Sequence, residues 1–140
     1  MEEKPTYYLD SNIFIYASSR NDALGQAARR LLQAIQAGTF RGVTSCLTLD
    51  EVMYVLKKIL PADLLAAGEQ ILNLDIKFLS IEKPLLYAML SLMEEHSLQP
   101  RDALHLATMH ANNISLIVSE DKDFDNISFI ERRSVLSLAL

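Results

Sequence analysis

Tryptophan is missing from this chain, cysteine occurs once, histidine three times, and glycine and proline four times each. A lone cysteine closes no internal disulfide. With no His/Cys spacing around it, Cys46 seeds no zinc cluster and reads as a small buried apolar residue. A chain of 140 residues needs no such staple, because at that length roughly two-thirds of the unfolded surface can be buried. Scarce glycine and proline exclude collagen-like and low-complexity chains. No apolar run approaches the ~18 residues of a membrane span. No signal-peptide pattern is visible, since residues 1–5 are polar and the apolar run after them is broken by Asp10. One domain over residues 1–140, soluble, cytoplasmic and free of membrane, is the expectation. Positive charge is also short: the net charge of −5 argues against a general nucleic-acid binder, which is usually basic. The local exception is Arg20 to Arg41, where Arg20, Arg29, Arg30 and Arg41 are opposed only by Asp22. A solvated helix face explains that stretch, and a phosphate-contacting patch is the alternative.

What is present alternates. Tyr7-Tyr8-Leu9, Gly42–Ser45, Ile76–Leu79 and Ser115–Val118 read as short strands. Helical spacing fills the intervals at Ser11–Ser18, Ala23–Ala37, Leu47–Leu60, Ala62–Leu72, Pro84–His96 and Pro100–Asn112, with Gly38 as a C-terminal stop and prolines at three starts. Asp121–Asn126 reads as a polar loop, and Phe129-Ile130 with Val135-Leu136 as a weak edge strand. Strands alternating with helices, and no tight hairpin signal, predict right-handed βαβ units: an α/β fold with a mostly parallel sheet and helices on both faces.

The acidic residues each have an ordinary explanation. Asp10 could cap the helix after it. Glu51 follows Thr48 with capping-box spacing. Asp102 stands in the first turn after Pro100, where the helix dipole favours an anion. Asp121 lies in a loop. Their positions argue for more. A crossover helix runs antiparallel to the strands, so its N-terminus lies at the edge where strands end. Asp10 and Asp121 follow strands, while Glu51 and Asp102 open helices, so all four fall on the edge where open α/β sheets bind ligands. Such a cluster of like charges calls for a cation. Oxygen ligation suits Mg²⁺ or Mn²⁺, ions that act on phosphates.

The blocks Leu9-Asp10-Ser11-Asn12, Thr48-x-x-Glu51, Arg101-Asp102-Ala103-Leu104-His105-Leu106-Ala107 and Ser119-Glu120-Asp121-Lys122-Asp123-Phe124 resemble, in order and spacing, the motif blocks of PIN domains, particularly VapC-type toxins. The resemblance spans Tyr8 to about Ile127. It implies a three-layer α/β/α sandwich and a Mg²⁺- or Mn²⁺-dependent endoribonuclease, with Asp10, Glu51, Asp102 and Asp121 as catalytic metal ligands. It also implies that Asn12 and Ser119 support them and that Asp123 is a neighbouring acid. Ser119 stands where the family more often has threonine. An RNA substrate, a small antitoxin partner and a homodimer are further implications. Arg29, Arg30 and Arg101 are candidate RNA contacts.

Two alternatives stay open at this point. An aspartyl-phosphate phosphatase or receiver also places an aspartate after its first strand. The phosphatase pattern wants a second aspartate where Asn12 stands, and the receiver's acidic pair and late lysine are not evident. A non-catalytic PIN-like binding module is the other. His105 reads as a packed or hydrogen-bonded histidine, with a metal or base role as the alternative. Leu86, Met89, Leu90 and Met93 read as core. The apolar helix pair Leu56–Leu74 reads as core or as a self-association face.

Overall fold

The computed structural model describes residues 4–140. Five strands form one sheet in the order β3-β2-β1-β4-β5, and every pairing is parallel. They are β1 (Thr6–Leu9), β2 (Arg41–Ser45), β3 (Ile76–Leu79), β4 (Leu116–Val118) and β5 (Glu131–Arg133). Six helices connect them: α1 (Ser11–Ser19), α2 (Ala23–Gln36), α3 (Cys46–Ile59), α4 (Leu64–Leu72), α5 (Lys83–His96) and α6 (Pro100–Ala111).

The alternation of β1 sorts the core into two layers. Tyr7 and Leu9 face a cluster that includes Ile13, Phe14, Ala28, Leu31, Val52, Leu56 and Ile71 from α1 to α4. Tyr8 faces the other side, with Leu106, Met109, Ile117 and Phe124. The result is the three-layer α/β/α sandwich with a parallel sheet. The strand order reverses direction between β1 and β4. That is the switch point where α/β sheets leave a crevice beyond the strand C-termini. The register there pairs Tyr8 with Ile117 and Leu9 with Val118, so Asp10 and Ser119 come next on either side of the crevice.

Two glycines set the α1–α2 hairpin and its exit. Gly38 has φ of 83°, the left-handed stop expected after α2. A Cβ on Gly25 would lie 2.1 Å from the Arg20 carbonyl oxygen, so only glycine lets α2 start this close to the end of α1.

Several expectations are corrected. The weak edge strand sits at Glu131–Arg133, between the two apolar pairs proposed for it. An edge strand needs no buried face, and its charges discourage pairing with another sheet. Val135-Leu136 instead starts a short 3₁₀ turn. The Asp121–Asn126 loop coils into a 3₁₀ turn over Lys122–Asn126 that buries Phe124 completely. Cys46 is exposed in the first turn of α3, because that turn projects past the end of β2. Leu86 and Leu90 are 41% and 57% exposed. Their helix α5 packs chiefly against α6, so an apolar pattern on more than one face cannot all be buried. The Leu56–Leu74 pair divides: Leu56, Ala67 and Ile71 are core, while Ile59, Leu65 and Leu72 face outward.

Candidate functional site

Asp10 is the first residue past β1 and caps α1. Its Oδ1 accepts from the Ser11 amide at 2.8 Å, and its own N–H continues the ladder to the Val118 carbonyl at 3.1 Å. From the facing strand end, Ser119 Oγ donates to Asp10 Oδ2 at 2.6 Å. Asn12 Nδ2 reaches Ser119 Oγ at 3.2 Å and Asp10 Oδ2 at 3.4 Å. The Asn12 side-chain oxygen accepts from the Glu120 amide at 3.4 Å. Asn12 and Ser119 therefore tie β1 and β4 together around Asp10, as supporting groups. Ser119 Oγ also accepts from the Asp121 amide at 3.0 Å, which turns the chain so that Asp121 follows into the crevice.

Glu51 is not in a capping box. Helix α3 begins at Cys46 with Ser45 as its N-cap, and the Thr48 hydroxyl lies 2.7 Å from Thr44 Oγ1, which donates to the Leu9 carbonyl. Free of the helix end, Glu51 Oε1 meets His105 Nε2 at 2.6 Å. The other ring nitrogen, Nδ1, stands 2.6 Å from Tyr8 Oη. Tyr8 and Asp10 share the face of β1 that looks at α6, so the buried His105 lies against both, 3.8 Å from Asp10 Oδ1. This relay from Tyr8 through His105 to Glu51 holds a carboxylate at the crevice floor. His105 is thus the hydrogen-bonded histidine expected, with partners that no local pattern names. The available signal was its place among Ala103, Leu106, Ala107 and Met109, all buried, where a histidine must find partners for both nitrogens.

Two groups result, each with ligating atoms within 4.8 Å of one another: Asp10, Glu51 and His105, and Asp102, Asp121 and Asp123. Burial raises the Asp10 pKa against the opposing effects of His105, Ser119 and Ser11. Burial, then the charges of Asp121 and Asp10, pushes Asp102 up to about 6. Burial alone would strip the His105 proton. The Glu51 hydrogen bond and the charges of Asp10, Glu51 and Asp102 outweigh it, and its pKa lies above the usual value. Other acids nearby are satisfied: Asp125 pairs with Arg132 at 2.7 Å, and Glu120 accepts from Ser134 and the Val135 amide. Among the described residues, no lysine or arginine forms an ion pair with Asp10, Glu51, Asp102, Asp121 or Asp123. Open acceptor positions remain. Among the described residues, Glu51 Oε2 makes no hydrogen bond, Asp121 uses only Oδ1, toward the Asp123 amide, and Asp102 accepts none. Five carboxylates with one imidazole between them, and no lysine or arginine partner among the described residues, fit a hard divalent ion.

The PIN domain model matches residues 7–130. The chain belongs to the PIN domain family. Among PIN relatives, it is 30% identical over 126 residues to ribonuclease VapC13 of Mycobacterium tuberculosis and, equally, to a VapC ribonuclease of Mycobacterium bovis; the match covers 89% of this chain and 96% of each relative. Solved structures share the PIN fold. The Mycobacterium tuberculosis VapC20, a sarcin–ricin loop cleaving toxin, superposes with a TM-score of 0.74 at 19% identity, covering 89% of this chain and 97% of that one. A DNA-bound VapBC from Salmonella typhimurium gives 0.73 at 18%, covering 95% and 99%. A toxin–antitoxin complex from Klebsiella pneumoniae gives 0.67 at 23%, covering 89% and 95%. PIN membership disfavours the aspartyl-phosphate alternative.

The candidate RNA contacts divide. Arg29 donates to the carbonyls of Ala17 and Arg20 at 3.1 and 2.7 Å and lines a cleft between α2 and α4. Arg20 pairs with Asp22. Two arginines of the Arg20–Arg41 stretch thus serve the α1–α2 hairpin. Arg30 is exposed on α2. Only Arg101, next to Asp102, is at the rim of the site. Among the described residues, no helix is long and apolar enough to cross a membrane.

Proposed function

We propose that this PIN domain is a divalent-metal-dependent endoribonuclease and the toxin of a toxin–antitoxin pair. The observation that carries the reading is the pair of carboxylate groups that no described lysine or arginine neutralises, in a chain whose 30%-identical relatives are named VapC ribonucleases. Asp10, Glu51, Asp102 and Asp121 hold Mg²⁺ or Mn²⁺, with Asp123 beside them. A bound ion supplies the charge stabilisation and water activation that phosphodiester hydrolysis needs. The chain's own part is positioning. Ser119 and Asn12 fix the Asp10 oxygens, His105 anchors Glu51 through Oε1 and leaves Oε2 available, and the Asp123 amide holds Asp121. Residues 1–140 act as one nuclease unit in the cytoplasm, as a homodimer, and are neutralised by a small antitoxin. Toxin–antitoxin complexes among the structural neighbours support that partner.

The test is cleavage of a mixed RNA pool with Mg²⁺ or Mn²⁺. Wild type cleaves and loses activity with EDTA. Asp10→Asn and Asp102→Asn keep the fold by circular dichroism and lose cleavage. Full activity in both variants would refute the site. No cleavage by wild type, together with no thermal shift from either cation, favours the non-catalytic module.

A further inference from the structure

Helices α3 and α6 touch twice at the site's rim. The inner contact is Glu51 to His105. One turn outward on both helices, three residues along α3 and four back along α6, Tyr54 meets Arg101. The guanidinium carbon lies 6.0 Å from the ring centroid. Lys58 Nζ lies over the same ring at 4.5 Å. Tyr54 is 58% exposed. Neither Arg101 nor Lys58 forms an ion pair among the described residues. In a chain of net charge −5, whose Arg20 and Arg29 are engaged by partners within the chain, these two cations lie over a solvent-exposed aromatic ring one helical turn from Glu51.

We propose that Tyr54, Arg101 and Lys58 form a nucleotide subsite of the nuclease, in which one base of single-stranded RNA displaces the flexible Lys58 ammonium from the Tyr54 ring and stacks there, while the two cations take the adjoining phosphate. The charge pattern favours RNA over a protein occupant. A polyanion entering a carboxylate site needs cations near the scissile position, and an aromatic ring bordered by cations is how single strands are held without reading sequence. The spacing suits it, because one helical turn, ~5 Å, separates the subsite from the carboxylate that His105 orients. Duplex RNA presents no free base face here, so the subsite selects unpaired segments. The inference rests on the nuclease reading for the class of substrate.

The absence of tryptophan provides the test. Tyr54→Trp places a single, selectively excitable tryptophan at the proposed stacking position. Single-stranded RNA is expected to quench its emission, and an oligonucleotide abasic at successive positions is expected to lose that quenching at one of them. In steady-state cleavage, Tyr54→Ala raises KM about 10-fold with kcat within about 2-fold. Tyr54→Trp restores that KM. Arg101→Ala lowers the slope of log Kd against log salt by about 0.7. A wild type that cleaves, with emission of the Tyr54→Trp variant unquenched by RNA and an unchanged KM for Tyr54→Ala, overturns the subsite and leaves the nuclease reading standing. Quenching without any cleavage supports the subsite and removes the nuclease reading. A Tyr54→Ala variant that changes oligomeric mass or antitoxin binding while KM stays the same makes this surface a protein interface and refutes the inference.

Discussion

Replacing Asp102 by asparagine is expected to make the metal-free protein more stable while abolishing its chemistry. A carboxyl whose pKa moves from 3.8 to about 6 carries at most ~3 kcal/mol of unfavourable free energy when ionised, at ~1.4 kcal/mol per pKa unit. Asp102 is only half-buried, and solvent screening reduces that figure. Its place in the first turn of α6 offsets some more through the helix dipole, by ~0.3–1 kcal/mol. About 1 kcal/mol remains, and Asp102 accepts no hydrogen bond among the described residues that the variant would lose. For a domain of this size the gain corresponds to a rise of about 3 °C in Tm. The sign with pH follows from the direction of the shift. Because the folded pKa is raised, the folded state keeps a proton that the unfolded state releases between about pH 4 and 6, and wild type loses stability as pH rises through that window. The advantage of Asp102→Asn is therefore small at pH 4 and complete above pH 6. Mg²⁺ reverses the order, because a cation bound to the native carboxylates stabilises wild type by about 1.4 kcal/mol at ten times its Kd. Chemical denaturation of both proteins at pH 4.5 and 7.5, in EDTA and in Mg²⁺, checks each part. A variant less stable than wild type at pH 7.5 in EDTA, or a gain that is undiminished at pH 4.5, refutes the account of a charge cluster awaiting a cation.

Other expectations follow from single contacts. His105→Phe leaves Tyr8 Oη and Glu51 without their shared partner and costs about 2–4 kcal/mol in a denaturant titration; a loss under 1 kcal/mol means the relay is not structural. Ser119→Ala removes the donor to Asp10 Oδ2 and lowers cation affinity about 10- to 100-fold by isothermal titration. Unchanged affinity would show that Asp10 needs no such orientation. Gly25→Ala, favourable by helix propensity, is expected to destabilise by about 1–3 kcal/mol because its Cβ meets the Arg20 carbonyl; a higher Tm contradicts that close approach.

Local chemistry made much of this fold legible. The strands predicted at Tyr7–Leu9, Gly42–Ser45, Ile76–Leu79 and Ser115–Val118 lie within a residue of the observed ones, and Gly38 stops α2 in the left-handed conformation expected of it. The pairing of Asp10 with Glu51, and of Asp102 with Asp121, was legible because it needs only the direction of each element in a parallel sheet. What stayed hidden depends on neighbours far apart in sequence. A charged edge strand at Glu131–Arg133 has no apolar period to detect. Leu86 and Leu90 look like core because helical spacing does not say that α5 has only one packed side. For the Arg20–Arg41 stretch, charge alone left a phosphate-contacting patch open beside a solvated helix face; it could not show that Arg29 bonds the carbonyls at the end of α1. The link from Tyr8 to His105 joins residues 97 apart, beyond any local pattern.

The seam between β1 and β4 also dictates when the site can exist. Asp10 is made well before its hydrogen-bond donor Ser119, which comes 109 residues later, and Asp102 and Asp121 also follow it at a distance. Non-local parallel pairing of this kind is slow to form. A chain still emerging from a ribosome owns Asp10 and Glu51 but has no β4 to lay beside β1. The carboxylates are then dispersed acids with ordinary solvation. The crevice closes only when the C-terminal quarter inserts against the first strand, so completion of the sheet and completion of the site are one event.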